Sequence, residues 1–180
     1  MSSDAAMPKP TPAQVIESML ALLGDRDPLE VMKCTGAALG AACAGLDDAA
    51  LRTPEAPGKW SVIEVVKHLG DAELVFAVRF RCILAEPNSA MSAINADAWS
   101  TRLRYVEADL AAALAQFNAV REINLRFLQG LSEAEWNASY THSMRGKETL
   151  RQSARIYAAH DLSHLAQIER IKQRVTSSCA

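Results

Sequence analysis

Helix-start signals recur along this chain. Five times a hydroxyl or carboxylate side chain is followed three residues later by Glu or Gln: Thr11 and Gln14, Asp27 and Glu30, Ser61 and Glu64, Ser132 and Glu135, Thr149 and Gln152. A side chain of the first kind accepts from an unpaired N–H in the first helical turn. The Glu or Gln returns the favour to the capping residue's own N–H. Pro12 and Pro28 stand at the first helical position, where a missing N–H costs nothing. No alternating apolar run demands a strand. These local rules predict an all-α chain.

The signals bracket five segments. A helix is expected from Thr11 to about Leu23, closed by Gly24, and a second from Asp27 to about Ala44, closed by Gly45. A third should run from Ser61 to about Ala85, ahead of Pro87. A fourth is expected from about Thr101 to Leu128, closed by Gly130. Its apolar positions Leu103, Val106, Leu110, Leu114, Phe117 and Val120 keep a helical period. The last runs from Thr149 to about Val175. Three longer connectors separate them: Asp47 to Lys59, Glu86 to Ser100 and Leu131 to Glu148. The reading is four long bundle helices with an extra N-terminal helix and long ordered connectors. Residues 11–175 form one domain, with flexible tails at 1–10 and 176–180. Connectors of this length let helices that are not neighbours in sequence pack side by side.

Bulk properties exclude several classes. Hydrophobic residues make up 49% of 180, too many for a disordered chain. A formal net charge of −2 gives no bulk attraction to nucleic acid. No apolar run reaches the roughly 18–20 residues of a membrane span. The first ten residues lack the basic and apolar regions of a signal peptide. The expectation is a cytoplasmic protein without nucleic-acid or membrane partners. The cysteines form no C-x-x-C pair. Cys34, Cys43 and Cys82 read as small core residues and Cys179 as an exposed thiol in the tail.

Three of four histidines fall on apolar helix stripes. His68 shares a stripe with Val65, Leu69, Ala72, Val75 and Phe76. His160 and His164 share one with Leu150, Ala154, Tyr157, Asp161, Leu165 and Ile168. A buried imidazole must be hydrogen-bonded or ligated. Positions i and i+4 lie about 5–6 Å apart between Cβ atoms, so His160 and His164 can share one ion. His68 supplies a third ligand if the two helices face one another. Three imidazoles with an open fourth position are the ligand set of a catalytic zinc-type site. Imidazole suits zinc, nickel, copper or iron alike. The competing reading is three core histidines satisfied by hydrogen bonds. The pair is not H-E-x-x-H, so a metalloprotease would lack its internal glutamate.

At these residues the chain resembles a family. Pro57-Gly58-Lys59-Trp60-Ser61-Val62 followed by His68-Leu69-Gly70-Asp71-Ala72-Glu73 is similar to the second-helix signature of the DinB/YfiT-like superfamily. Ala158-Ala159-His160-Asp161-Leu162-Ser163-His164-Leu165-Ala166-Gln167-Ile168 is similar to its last-helix signature. Asp97-Ala98-Trp99 and the stretch from His142 to Leu150 sit between them in the same order. The resemblance spans about Pro28 to Arg174. It implies a four-helix bundle of up-down-down-up type, often a homodimer. It also implies a divalent transition metal, nickel or zinc, held by His68, His160 and His164. Relatives of this kind include thiol-dependent S-transferases and isomerases, with a low-molecular-weight thiol as co-substrate, and metal-dependent hydrolases. Two positions depart from the pattern: Ser143 where proline is frequent, and Ser163 where a further histidine is usual.

Other polar residues have simpler expectations. His142 reads as a surface or capping residue near the pocket mouth. Glu64 either caps its helix or holds an imidazole. Asp71 and Glu73 are expected to be solvated, and Asp161 to pair with an arginine of a facing helix. Arg79, Arg81, Arg102, Arg104, Arg145, Arg151 and Arg155 are candidates for a carboxylate-bearing substrate or thiol. Trp60, Trp99 and Trp136 should pack connectors onto the bundle, with Trp99 nearest a pocket. The functional expectation is a metal-dependent enzyme activating a thiol or water towards a small-molecule substrate. The alternatives are a non-catalytic metal module, its site closed by a fourth protein ligand, and a metal-free helical dimerisation protein.

Overall fold

The computed structural model of the chain describes residues 11–86 and 90–177, the side chains of 176 and 177 excepted. The helices are α1 (Pro12–Leu23), α2 (Pro28–Cys43), α3 (Asp48–Arg52), α4 (Val62–Ala85), α5 (Ala96–Arg102), α6 (Leu110–Gln129), α7 (Glu133–Trp136) and α8 (Leu150–Ser177). Residues 1–10 and 178–180, Cys179 among them, lie outside the described residues. The expected caps form. Thr11 N–H donates to Gln14 Oε1 at 2.8 Å, Leu29 N–H to Asp27 Oδ1 at 2.7 Å, and Thr149 N–H to Gln152 Oε1 at 2.8 Å.

Four long helices make the bundle, and their contacts reveal its directions. Asp71 meets Gln116 and, further along both helices, Glu73 meets Arg121 and Asn124, so α4 and α6 run parallel. His68 meets His160 and Phe76 meets Tyr157, so α4 and α8 are antiparallel. Thr35 meets Asp161 and Ala42 meets Lys172, so α2 and α8 are parallel. The order is up-down-down-up, as the resemblance implied. Parallel neighbours cannot be joined by a tight turn. After about 36 Å of α4, at 1.5 Å per residue, the chain must travel back before α6 begins.

That return corrects the expected helix from 101 to 128. α5 ends at Arg102, Arg104 takes a left-handed φ of 53°, and a 3-10 turn follows at Tyr105–Glu107. α6 then starts afresh with Asp109 as its cap, accepting from Ala112 N–H at 2.8 Å. Leu103 and Val106 are exposed, while Tyr105 is fully buried. Helical spacing ran through the break by coincidence.

A second correction is a small sheet. β1 (Ala90–Met91), β2 (Ser139–His142) and β3 (Gly146–Thr149) pair in that order, β1 with β2 in parallel and β2 with β3 as a hairpin. Four-residue strands are too short to announce themselves by alternation. Ser143 N–H donates to the Met91 carbonyl at 3.0 Å, a bond that proline there could not make. A third correction concerns Cys34, which is exposed rather than in the core; Cys43 is buried.

One residue ties the bundle together. Arg121 of α6 is almost fully buried. It donates to Glu73 of α4 at 2.7 Å, to Asp161 of α8 at 2.7 and 3.1 Å, and to the Met32 carbonyl of α2 at 2.8 Å. Thr35 of α2 adds a hydroxyl to Asp161 at 3.0 Å, and Asn124 adds its amide to Glu73 at 2.9 Å. Burial works against the guanidinium's charge, but Asp161 and Glu73 outweigh it and hold its pKa above the ordinary value. Asp161 thus has the facing arginine expected of it. Glu73 is not solvated but fully buried.

Candidate metal centre

Antiparallel packing of α4 on α8 brings the three histidines together. The Nε2 atom of His160 lies 3.1 Å from Nε2 of His68 and 3.1 Å from Nε2 of His164. The three candidate ligand atoms are all within 4.8 Å of one another. Imidazole nitrogens bound to one zinc-type ion at about 2.0–2.1 Å sit roughly 3–3.4 Å apart, so both 3.1 Å contacts of His160 suit a shared ion.

Proton accounting tests the same point. Gln167 Oε1 lies 2.8 Å from His164 Nδ1, and a carbonyl oxygen accepts, so Nδ1 carries the proton. His164 Nε2 is therefore a bare lone pair aimed at His160. If His160 donates to it, the 3.1 Å contact with His68 has no proton between its atoms. If His160 accepts from His68, the contact with His164 is lone pair against lone pair. Only one of the two contacts can be a hydrogen bond, whereas a cation satisfies all three nitrogens together. Burial moves all three pKa values below the ordinary imidazole range, His68 to about 3, with the neighbouring imidazoles pushing His68 and His160 further the same way. Neutral imidazole is the form that ligates.

The surroundings fix the rings. Trp60 lies 4.9 Å from the His68 ring and stacks nearly parallel to His164 at 6.3 Å. Phe76 meets His160 edge-to-face at 6.0 Å. Nδ1 of His160 is buried without a hydrogen-bond partner among the described residues, so packing orients this ring. Glu64 does not serve the histidines. It accepts from Ser61 N–H and Oγ–H at 2.9 and 2.8 Å and from Ser100 Oγ–H at 2.9 Å, capping α4 and tying α5 to it. Asp71 also turns away, binding Lys67 at 2.6 Å and Gln116 at 2.8 Å.

The histidines form one wall of a cavity of about 550 Å³, within the size range of small-molecule sites. Residues of α1, α4, α5, the sheet and α8 line it, Trp60, Trp99 and Ser163 among them. Trp136 lies elsewhere, under the Arg151 guanidinium at 5.3 Å. Of the candidate arginines, Arg79 and Arg145 reach the cavity. His142 corrects its expectation as a surface residue: it is 3% exposed, sits on β2 and lines the cavity. Burial, then Arg145 and Arg79, lowers its pKa. Arg121 and Glu73 had no individual signal as network members beyond an expected arginine opposite Asp161.

A bundle of this topology, with three histidines meeting at an inner cavity, is the class of fold and site that the chain presents, and comparisons with known proteins show its family. The DinB superfamily description matches residues 34–168. This chain belongs to the DinB superfamily. It is similar to YfiT of Bacillus subtilis, 26% identical over 148 residues that cover 82% of this chain and 83% of YfiT. A Bacillus licheniformis protein is 29% identical over 140 residues, 76% of this chain and 78% of its own length. Both relatives are named "Putative metal-dependent hydrolase". The solved structure of YfiT, described as having an unusual four-helix bundle topology, superposes with a TM-score of 0.76 at 24% identity. The match covers 92% of this chain and 90% of that one, and shows the shared fold.

Proposed function

We propose that the chain is a metal-dependent enzyme in which His68, His160 and His164 hold one divalent transition metal, nickel or zinc, at the wall of a substrate cavity. The observation that carries this reading is the convergence of three Nε2 atoms that hydrogen bonds alone cannot satisfy. The names of the relatives support hydrolysis as the reaction. Transfer to a low-molecular-weight thiol is the second reaction that the same site would serve. Held by His68, His160 and His164, such an ion would supply Lewis acidity that lowers the pKa of a water or a thiol.

The chain's own residues supply positioning. Gln167 holds His164 in the ligating tautomer. Trp60 packs beside the His68 ring and Phe76 against the edge of His160, which fixes how these rings are turned. No Asp or Glu lines the cavity among the described residues, so no carboxylate is available there as general base. A closed structural site would need a fourth protein ligand. Among the described residues no other His, Cys, Asp or Glu joins the group, and the histidines face open space. That favours an exchangeable site over a staple.

Metal content decides the matter. Tag-free protein should carry near one equivalent of transition metal after purification or reconstitution with nickel or zinc. His160→Ala should carry none while keeping its far-ultraviolet circular dichroism, because buried apolar stripes hold the bundle. Wild-type protein that takes up no metal would overturn the reading.

A further inference from the structure

The end of the cavity away from the histidines is cationic, and nothing in the proposed metal chemistry uses it. Arg79 stands on α4 eleven residues after His68. Eleven residues turn a helix through just over three whole turns, so both face the cavity, about 16 Å apart along the axis. Side chains on a helix all lean toward its N-terminus, His68 and Arg79 alike, so the lean leaves their separation near the axial value and only the greater length of arginine shortens it. The Arg79 guanidinium donates to the Ser92 carbonyl at 2.8 Å and to the Tyr157 hydroxyl at 3.4 Å. Neither partner is charged, and no acidic group pairs with it among the described residues. A guanidinium has five N–H donors, so several stay available.

Its neighbours differ in kind. Arg145 also lines the cavity, but Glu148 grips it through two oxygens, one at 2.8 Å, and neutralises it. His142 accepts from Met144 N–H at 3.2 Å through Nδ1, which leaves the Nε2–H of a neutral ring to donate. The Tyr157 hydroxyl accepts from Arg79 and keeps its own proton to donate. Between this end and the histidines the wall is apolar, with Phe76 and Tyr157 stacked at 3.5 Å. One unpaired cation with neutral donors beside it matches a single negative charge.

We propose that Arg79, assisted by His142 and the Tyr157 hydroxyl, anchors the carboxylate of a small substrate. The substrate's apolar body would run along Phe76 and Tyr157, placing its reacting bond at the histidines. The substrate class is thus a monocarboxylate long enough to carry its reactive group from the Arg79 end of the cavity to the histidines. This rests on reading the cavity as the substrate pocket of a metal site, but the anchor itself needs no metal.

The test uses full-length protein, metal-depleted and metal-loaded, with straight-chain carboxylates of about six to ten carbons and the alcohols of equal length. Calorimetric titration of metal-depleted wild type should show carboxylates binding about tenfold or more tighter than their alcohols, since charge-assisted bonds to Arg are the stronger kind. Arg79→Gln should erase that preference while its metal content and circular dichroism stay as in wild type. Arg79→Lys should keep part of it, a point charge replacing a fork. Equal binding of acids and alcohols to the wild type would overturn the anchor, as would an undiminished preference in a folded Arg79→Gln. The two readings fail separately. Protein that binds no metal yet shows the Arg79-dependent preference keeps the anchor and loses the metal. Protein that binds metal but shows no preference loses the anchor alone.

Discussion

His160 sits at the middle of the site, 3.1 Å from both other imidazoles, yet its orientation depends on packing, because its Nδ1 has no partner among the described residues. His164 differs: Gln167 sets its tautomer. Partners of this kind are worth about 10–100-fold in metal affinity when removed. Gln167→Leu should therefore weaken nickel or zinc binding by that order in a competition titration against a chromophoric chelator, with helix content unchanged. Unaltered affinity would show that the tautomer is set elsewhere. The spacing of His160 and His164 was legible in the sequence because both lie on one turn of one helix. Gln167 drew no attention, since a polar residue one turn on from a histidine is ordinary on a half-buried face.

Between elements, Arg121 is the common partner of α2, α4 and α8. It carries one positive charge against the two carboxylates of Glu73 and Asp161, all three buried. Removing the cation leaves two buried anions facing each other. Arg121→Met should cost about 3–5 kcal/mol in urea unfolding, the usual penalty for breaking a buried pair from one side. Adding Glu73→Gln and Asp161→Asn should recover part of that loss, because the penalty comes from uncompensated charge and not from volume. A loss below about 1 kcal/mol for Arg121→Met would show that water reaches the site. Asp161 follows His160 directly, so the same network sets the depth at which α8 presents its histidines. Helix caps were readable because each involves residues two or three apart. The arginine's role was not, because burial of position 121 depends on four helices meeting there.

For the molecule as a whole, the clustered imidazoles make the metal-free fold sensitive to acid. Burial lowers His68 to about 3 and moves His160 and His164 in the same direction. In the unfolded chain a histidine takes its proton near about 6.5. As pH falls through about 6.5, the unfolded state gains protons that the folded state refuses, so stability drops. The slope is up to about 1.4 kcal/mol per pH unit for each histidine, and for His68 it ends as its folded pKa near 3 is reached. Thermal melts of metal-depleted protein from about pH 7.5 to about pH 5 should show Tm falling, and the His68→Ala, His160→Ala, His164→Ala triple variant should show a shallower fall. An identical slope in both would place the acid sensitivity in other groups.

By itself the sequence determined what short-range physics controls. Thr11, Asp27, Ser61, Ser132 and Thr149 start helices because their partners lie within one turn, and the apolar stripes name the faces those helices bury. It also placed His68, His160 and His164 on inward stripes, though not His142. Tertiary structure alone decided the break before α6, since a parallel neighbour for α4 forces the chain back along the bundle. It alone decided that His142 and Glu73 are buried and that Arg79 faces the cavity. It brought His68 to His160 from 92 residues away, because only the antiparallel register of α4 on α8 sets that distance.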